Sequence, residues 1–266
     1  MVLAIDIGNT HTVLGVFERE KLLFDWRISS SLQHTEDEVG TSVRLFLTDA
    51  GIDPKRIDGI GISSVVPDLT DIYAAMTRKY FQTDPLIVSS EVRLGISIHY
   101  DDPKAVGADR LCNAIAAFAK HGGPLIIIDF GTATTYDVVA KNGDYLGGVI
   151  APGIETSAAD LHRRAAKLPK VELRFPSSLI GTDTTSSMQA GILYGAVDAM
   201  EGMIGRLQRE LKKREATEGK LIATGGFSKF ICDYSKLPLH WEPSLVLEGV
   251  RLVYERVRDR TTDRRS

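Results

Sequence analysis

The sequence lacks the features that mark several large classes of protein. It has 266 residues but only two cysteines, Cys112 and Cys232, which lie far apart and form no Cys-x-x-Cys pair. A disulfide scaffold and a zinc finger are therefore excluded, and the low cysteine content is typical of a reducing compartment. No apolar run approaches the roughly 18 residues that span a membrane, and residues 1–6 have no basic segment of a secretion signal. We expect a soluble, cytoplasmic protein that does not enter a membrane.

The sequence also lacks a large excess of charge of one sign. It carries 32 lysine and arginine residues against 35 aspartate and glutamate residues, which gives a formal net charge of −3. This mildly acidic balance argues against a nucleic-acid-binding surface. The sequence contains no Gly-x-x-x-x-Gly-Lys-Ser/Thr motif, so a P-loop kinase is excluded. An anionic substrate would have to be bound by local groups, because the overall field of the protein does not attract it.

Apolar strands alternate with amphipathic helices along the chain, which predicts an α/β fold. The length allows two domains of ordinary size or one large domain. Thr35 and Glu38 form a capping box that predicts the start of a helix ending at Gly51. The other predicted helices cover 69–81, 109–120, 154–168, 187–213 and 243–258, and the predicted strands cover 2–5, 11–17, 21–28, 57–63, 85–88, 125–128, 134–140, 145–150 and 221–223.

The sequence contains an internal repeat, in which residues 4–12 align with residues 127–135. In both copies an apolar strand ends in an aspartate, and a glycine, small hydroxyl or amide residues and a second strand follow. Asp6 and Asp129 lie 123 residues apart, which is close to half of the chain. The repeat therefore predicts two related lobes that face one cleft.

Each copy of the repeat suits the binding of phosphate. Glycine lets the backbone approach a ligand closely, and successive amide groups with Asn9, Thr10, Thr132 and Thr134 are donors for anionic oxygens. Because the aspartate alone would repel phosphate, a cation must lie between them, and Mg²⁺ is the natural candidate. The alternative is that each Asp-x-Gly only ends a strand in a tight turn. The occurrence of two copies favours the phosphate-binding interpretation.

A third group of residues stands at the start of the helix predicted over 109–120. Gly107 precedes this helix, and Asp109 and Arg110 occupy its first turn. An aspartate at a helix N-terminus is an ordinary capping choice. The adjacent arginine, however, is a planar fork suited to a carboxylate or phosphate. The pair would also suit a site where a hydroxyl is deprotonated and an anion is held.

With these three groups in view, the sequence resembles the type III pantothenate kinases. The matching residues occur in family order, and they are Asp6-Ile7-Gly8-Asn9-Thr10, Gly107-Ala108-Asp109-Arg110, Asp129-Phe130-Gly131-Thr132-Ala133-Thr134, the run 147–153, the run 181–185 with 189–192, and Thr224-Gly225-Gly226. The resemblance implies two duplicated ribonuclease-H-like lobes of the actin-like ATPase type around a central cleft. It places the N-terminal lobe at 1–118, the C-terminal lobe at 119–258 and a disordered tail at 259–266.

The resemblance also implies an activity, namely the ATP-dependent phosphorylation of pantothenate at its 4′-hydroxyl, the first step towards coenzyme A. In this family Asp109 would be the general base that takes the hydroxyl proton. Gly107, Ala108 and Arg110 would hold pantothenate, with Asp109 also in contact with it. Tyr100 and Thr184 would close the pocket, although the sequence leaves open whether Thr182, Thr184 or Thr185 supplies the contacting hydroxyl.

The cofactor-binding residues are likewise implied by the resemblance. Asp6 would organise Mg²⁺ through the phosphates of ATP, and Asp129 would bind a monovalent cation, K⁺ or NH₄⁺. The remaining residues that would contact ATP are Ile7, Gly8, Asn9, Thr10, His11, Thr12 and Val13 in the first phosphate loop, and Gly131 and Thr132 in the second.

The family resemblance favours a homodimer, with the helix predicted over 187–213 as its seam, whereas the apolar pattern of that helix alone would equally suit an internal core helix. Two alternative functions stay open from the sequence. One is a sugar or acetate-type kinase that uses the same cleft. The other is a non-catalytic transcription accessory factor on the same fold. Such a factor could lose Asp6, Asp109 or Asp129, yet all three are present.

Overall fold

The computed structural model describes residues 1–263, with side chains described up to Arg258. The chain divides into two compact units. The first comprises residues 1–119 together with the segment that begins at Ser244, and the second comprises residues 120–243. Among the described residues, none of the helices combines the length and the apolar character that crossing a membrane requires.

The first unit is built on a five-stranded sheet in the order β3-β2-β1-β4-β5. The central strand β1 pairs antiparallel with β2 and parallel with β4. The predicted capping box is present, because the Thr35 hydroxyl accepts from the Glu38 N–H and the Glu38 carboxylate accepts from the Thr35 N–H. The elements of this unit are β1 (Val2–Ile7), β2 (His11–Glu18), β3 (Lys21–Ser29), α1 (Glu36–Asp49), β4 (Gly59–Ser64), α2 (Pro67–Phe81), β5 (Leu86–Ile87), α3 (Ala108–His121, which runs just past the boundary of the unit) and α7 (Leu245–Asp263).

The second unit repeats this design with a five-stranded sheet in the order β10-β9-β6-β7-β8. Its central strand β6 pairs antiparallel with β7 and parallel with β9. The elements are β6 (Leu125–Phe130), β7 (Ala133–Val139), β8 (Tyr145–Pro152), α4 (Ile154–Arg164), α5 (Thr184–Glu215), β9 (Lys220–Thr224), α6 (Ser228–Cys232) and β10 (Leu239–Trp241).

The two sheets share one arrangement around a central buried strand. Strand β1 contains Leu3, Ala4 and Ile5 at 0% exposure before Asp6, and the residues of β6 from 125 to 128 are equally buried before Asp129. Parallel strands that are covered on both faces are continuous apolar runs in the sequence. The apolar pattern therefore predicted both of these strands. The prediction of two duplicated α/β lobes is therefore confirmed.

The last helix corrects the domain boundaries taken from the sequence, which placed residues up to 258 in the second lobe. α7 packs on β1 and β4 of the first sheet. Glycines allow this close approach, since a Cβ on Gly61 would lie 2.7 Å from a Val250 methyl and a Cβ on Gly249 would lie 2.2 Å from the Cys112 carbonyl oxygen. The helix therefore belongs to the first unit.

The predicted disordered tail over 259–266 is also partly wrong. Residues 259–263 continue α7, whereas residues 264–266 lie outside the described part of the chain. Two short elements, α6 and β10, were not predicted, because five and three residues are too few to show a periodic pattern. The helix predicted over 154–168 ends earlier, at Arg164, ahead of Pro169.

Candidate active site

The first phosphate loop connects β1 to β2 and is held by hydrogen bonds at both ends. The Gly8 N–H donates to the His11 carbonyl at 3.0 Å, which closes the turn. From the end of β3, the Ser30 hydroxyl donates to the Gly8 carbonyl at 2.6 Å and the Ser30 N–H donates to the Thr10 carbonyl at 3.0 Å. The side chains of the loop from residues 9 to 11 are exposed. The loop thus presents donors to solvent on a fixed backbone, as a phosphate site requires.

Asp6 stands at the start of this loop, half-buried near the end of β1. The hydroxyl of Ser63 on β4 donates to its Oδ1 at 2.9 Å. Within the described part of the chain there is no group of three or more His, Cys, Asp or Glu side chains arranged to hold a metal. A single oriented carboxylate nevertheless fits Mg²⁺, which keeps several waters and is bound by one or two carboxylates plus substrate phosphates.

The start of α3 folds the Asp109 side chain back over the helix N-terminus. Its Oδ1 accepts from the Arg110 N–H at 2.8 Å. A Cβ on Gly107 would lie 2.4 Å from that Oδ1, so glycine at this position leaves room for the carboxylate in its observed orientation. The Arg110 side chain is buried, at 6% exposure. The carboxylate of Asp109 and the basic residue Arg110 are therefore held side by side at the N-terminus of α3.

Burial raises the pKa of Asp109 above the ordinary aspartate value, and the N–H and positive charge of Arg110 oppose this shift. A carboxylate of raised pKa is a stronger base than an exposed one. The group therefore suits the removal of a proton from a hydroxyl.

The second phosphate loop connects β6 to β7 and begins at Asp129. Gly225, which follows β9 with a φ of +90°, leaves space beside this carboxylate, since its Cβ would lie 2.3 Å from Asp129 Oδ1. The Thr132 carbonyl accepts from the Gly153 N–H at 3.2 Å and from the Thr156 hydroxyl at 2.6 Å, which ties the loop to the start of α4. Only glycine fits at position 153, because a Cβ would lie 2.3 Å from the Thr132 oxygen.

Thr184 is the first residue of α5, and the carboxylate of Asp183 caps the helix by accepting from the Ser186 N–H at 3.0 Å. Both Thr182 and Thr184 line a largely apolar cavity of about 1010 Å³ in the second unit, whereas Thr185 does not.

Tyr100 lies in the segment before α3 and is 38% exposed. This exposure leaves its ring available to a ligand.

The structure places the predicted residues in two groups, one in each unit. Within the first unit, Asp6 and Asp109 lie in the same neighbourhood, because the charges of both carboxylates raise the pKa of the buried Cys112 thiol. The first group contains the residues from Asp6 to Val13, Tyr100, and Gly107, Ala108, Asp109 and Arg110, and the second contains Asp129, Gly131, Thr132 and Thr184.

Residues that support the two loops were missed by reasoning from the sequence. Ser30, which follows β3, contacts the first loop, and Ser63 on β4 contacts Asp6, but no local pattern marks either residue. Only a prediction of strand register would place Ser63 opposite Asp6. Gly153 lies in a matched run, yet its role beside Thr132 follows only from the packing.

Comparison with known proteins decides the family. The family model described as type III pantothenate kinase matches residues 2–206 of the chain. The chain belongs to the type III pantothenate kinase family. It is 44% identical over 256 residues to the type III pantothenate kinase of Myxococcus xanthus (strain DK1622), which covers 96% of this chain and 98% of that protein. It is 45% identical over 256 residues to the type III pantothenate kinase of Halalkalibacterium halodurans, with 96% and 99% covered.

The solved structures agree on the fold of this type III pantothenate kinase family member. The activator of 2-hydroxyisocaproyl-CoA dehydratase from Clostridium difficile, with bound ADPNP, superposes with a TM-score of 0.54 and 11% identity, covering 98% of this chain and 97% of that one. At this identity the similarity shows the fold alone. The prediction of two duplicated α/β lobes agrees with this similarity in fold.

The raised pKa of Asp109 leads to a prediction about the stability of this type III pantothenate kinase family member. A carboxyl group whose pKa rises on folding destabilises the folded protein wherever it is ionised, and this cost disappears as the pH falls through the raised pKa. We therefore expect Asp109→Asn to raise the melting temperature by a few degrees near neutral pH and to give no increase near pH 4, as measured by thermal denaturation between about pH 4 and 8. Asp53→Asn is the control, since Asp53 is exposed and makes a comparable bond to the Lys55 N–H at 2.9 Å. A melting temperature below that of the wild type at every pH would contradict the interpretation.

Proposed function

We propose that this chain transfers the γ-phosphoryl group of ATP to the 4′-hydroxyl of pantothenate, the first step of coenzyme A biosynthesis. The observation that carries the proposal is the start of α3, where Gly107 makes room for a partly buried Asp109 beside Arg110. This arrangement occurs in a chain that belongs to the type III pantothenate kinase family.

The proposed chemistry in the first unit begins at Asp109. Its carboxylate takes the proton of the acceptor hydroxyl as the oxygen attacks phosphorus, and burial keeps it basic enough for this step. Arg110 binds the carboxylate of pantothenate, because its planar guanidinium matches two carboxylate oxygens. Gly107, Ala108 and Tyr100 complete the pocket in this proposal.

The first phosphate loop positions the nucleotide. Its backbone N–H groups, with Asn9 and Thr10, donate to phosphate oxygens, and Ser30 keeps the loop in place by binding the Gly8 carbonyl. Mg²⁺, when bound through Asp6, neutralises charge on the phosphates. Because phosphoryl transfer requires mostly alignment and charge neutralisation, the loop needs no further catalytic group.

In the second unit we assign Gly131 and Thr132 to ATP and Asp129 to a monovalent cation. The space that Gly225 leaves beside Asp129 Oδ1 supports this assignment, because a side chain there would fill it. Thr184 is assigned to substrate, and its place on the wall of the large cavity supports that role. We also propose that the protein acts in the cytoplasm.

A homodimer is proposed through one face of the second unit. Gly191, Gly195 and Gly202 lie on α5, and apart from the adjoining residues of the helix itself no described heavy atom lies within 4 Å of the Cβ position of any of them. Leu179 and Ile180, which precede this helix, are 65% and 81% exposed. Apolar surface of this kind marks association surfaces, and a second copy of the chain would cover it.

The base assignment predicts a large loss of turnover in Asp109→Asn. General base catalysis contributes about 10²- to 10⁴-fold, so kcat should fall by that factor while the KM for ATP stays nearly unchanged. Pantothenate-dependent formation of ADP in a coupled assay measures both constants, and Asp53→Asn is the matched control. Near-normal turnover in Asp109→Asn would overturn the base assignment.

An acceptor screen in which a sugar is phosphorylated in preference to pantothenate would overturn the substrate assignment.

The cation assignment predicts that activity depends on K⁺ or NH₄⁺. At constant ionic strength, replacing K⁺ with Na⁺ or Li⁺ should reduce kcat/KM by about tenfold or more, because second-shell and ligand changes commonly cost 10- to 100-fold. Asp129→Asn should remove the difference between the cations. Equal activity of the wild type in Na⁺ or Li⁺ would contradict the role of Asp129.

The dimer proposal is tested by sedimentation equilibrium. Each chain has a mass of 29.1 kDa, so the wild type should sediment at about twice this value. Gly195→Glu places a charge on the proposed interface and should shift the mass to that of one chain. Thr217→Glu, at an exposed position after α5, is the control. A wild type that sediments as a monomer at micromolar concentration would exclude the dimer.

A further inference from the structure

Ser63 is a buried polar residue with no place in the proposed mechanism. It lies on β4, directly opposite Asp6 of β1 in the parallel register. Its side chain is fully buried, at 0% exposure, and its hydroxyl donates to Asp6 Oδ1 at 2.9 Å. The bond holds one oxygen of the Asp6 carboxylate in a defined position at the end of its strand.

A second buried group of the first unit lies on the helix that carries the proposed base. Cys112 lies on α3, one turn after Asp109, and its thiol is fully buried. Burial and the charges of Asp6 and Asp109 raise the pKa of this thiol well above its ordinary value. Cys112 is therefore a neutral S–H donor.

The second unit also has a hydroxyl residue at the equivalent position. Thr224 on β9 stands directly opposite Asp129 of β6 and is buried, at 2% exposure. In each copy of the repeat, a buried hydroxyl thus occupies the position of the parallel neighbour that faces the aspartate. Packing alone does not require this, because a small apolar residue would fill either position at a lower desolvation cost.

We propose that Ser63 is a positioning residue that orients the Asp6 carboxylate for the metal-nucleotide complex. The proposal rests on the proposed function only in assigning Asp6 to that complex. Outer-shell hydrogen bonds of this kind orient ligating carboxylates, and their loss typically costs 10- to 100-fold in metal affinity or activity. The effect of Ser63 is on the metal-dependent part of nucleotide binding and not on the nucleotide itself.

The test compares the binding of ADP with Mn²⁺ and ADP in EDTA, measured by calorimetry. Three variants are informative: Ser63→Ala removes the hydroxyl, Ser63→Cys keeps the volume with a weaker donor, and Ser63→Thr keeps a hydroxyl in the form of the residue found at the equivalent position of the second unit, Thr224. The control is Thr77→Val, which removes another fully buried hydroxyl of the first unit, one that donates to the Ala74 carbonyl at 2.9 Å.

In Ser63→Ala and Ser63→Cys, the gain in ADP affinity caused by Mn²⁺ should fall by about 10- to 100-fold, while the affinity for ADP in EDTA stays within a factor of about two. Ser63→Thr should restore most of the gain, and Thr77→Val should retain all of it despite any loss of thermal stability. A normal Mn²⁺ effect in Ser63→Cys, or equal losses in Thr77→Val, would overturn the proposal. Binding of Mn²⁺–ADP does not require an acceptor, so the proposal stands or falls separately from pantothenate phosphorylation.

Discussion

A carboxylate held at the end of a buried strand is the constraint on which both units depend. Strands β1 and β6 are fully buried before Asp6 and Asp129, and a charge placed within them would be strongly unfavourable. At the carboxyl end of the strand the chain leaves the sheet, so the charge reaches a region where ligands bind in α/β folds. The parallel neighbour supplies Ser63 or Thr224 beside it. A terminal aspartate beside a hydroxyl residue of the parallel neighbour is thus a consequence of one sheet geometry used twice.

The helices attached to the two copies of the repeated sheet differ. In the first unit, α3 brings Asp109 and Arg110 to the sheet, and its buried residues fix their direction. In the second unit, the long helix α5 leaves three glycines open and forms one wall of the large cavity. The repeated part is therefore the sheet with its terminal aspartate, whereas the attached helices differ between the two units.

Most of the fold could be predicted from the sequence because its strong signals are local. The strands before Asp6 and Asp129 are continuous apolar runs, and Thr35 with Glu38 marks a helix start through contacts three residues apart. The roles of the predicted site residues rest on the resemblance, and their binding contacts stay predictions.

What could not be predicted depends on contacts distant in sequence. Ser63 lies 57 residues from Asp6, and Ser30 lies 22 residues from Gly8, so their hydrogen bonds follow from strand register alone. The position of α7 was missed for the same reason. Its pattern shows an amphipathic helix, but its partner sheet is set by glycines such as Gly61, far away in the sequence.

The packing of α7 on the first sheet makes the second unit an insertion within the first. Residues 120–243 form a continuous segment, whereas the first unit needs residues from both sides of it. During synthesis from the N-terminus, all strands of the second sheet are made before α7. Strands β1 and β4 therefore lack the helix that covers them until the second unit has been synthesised. The first unit is therefore the first to be started during synthesis and the last to receive all of its residues.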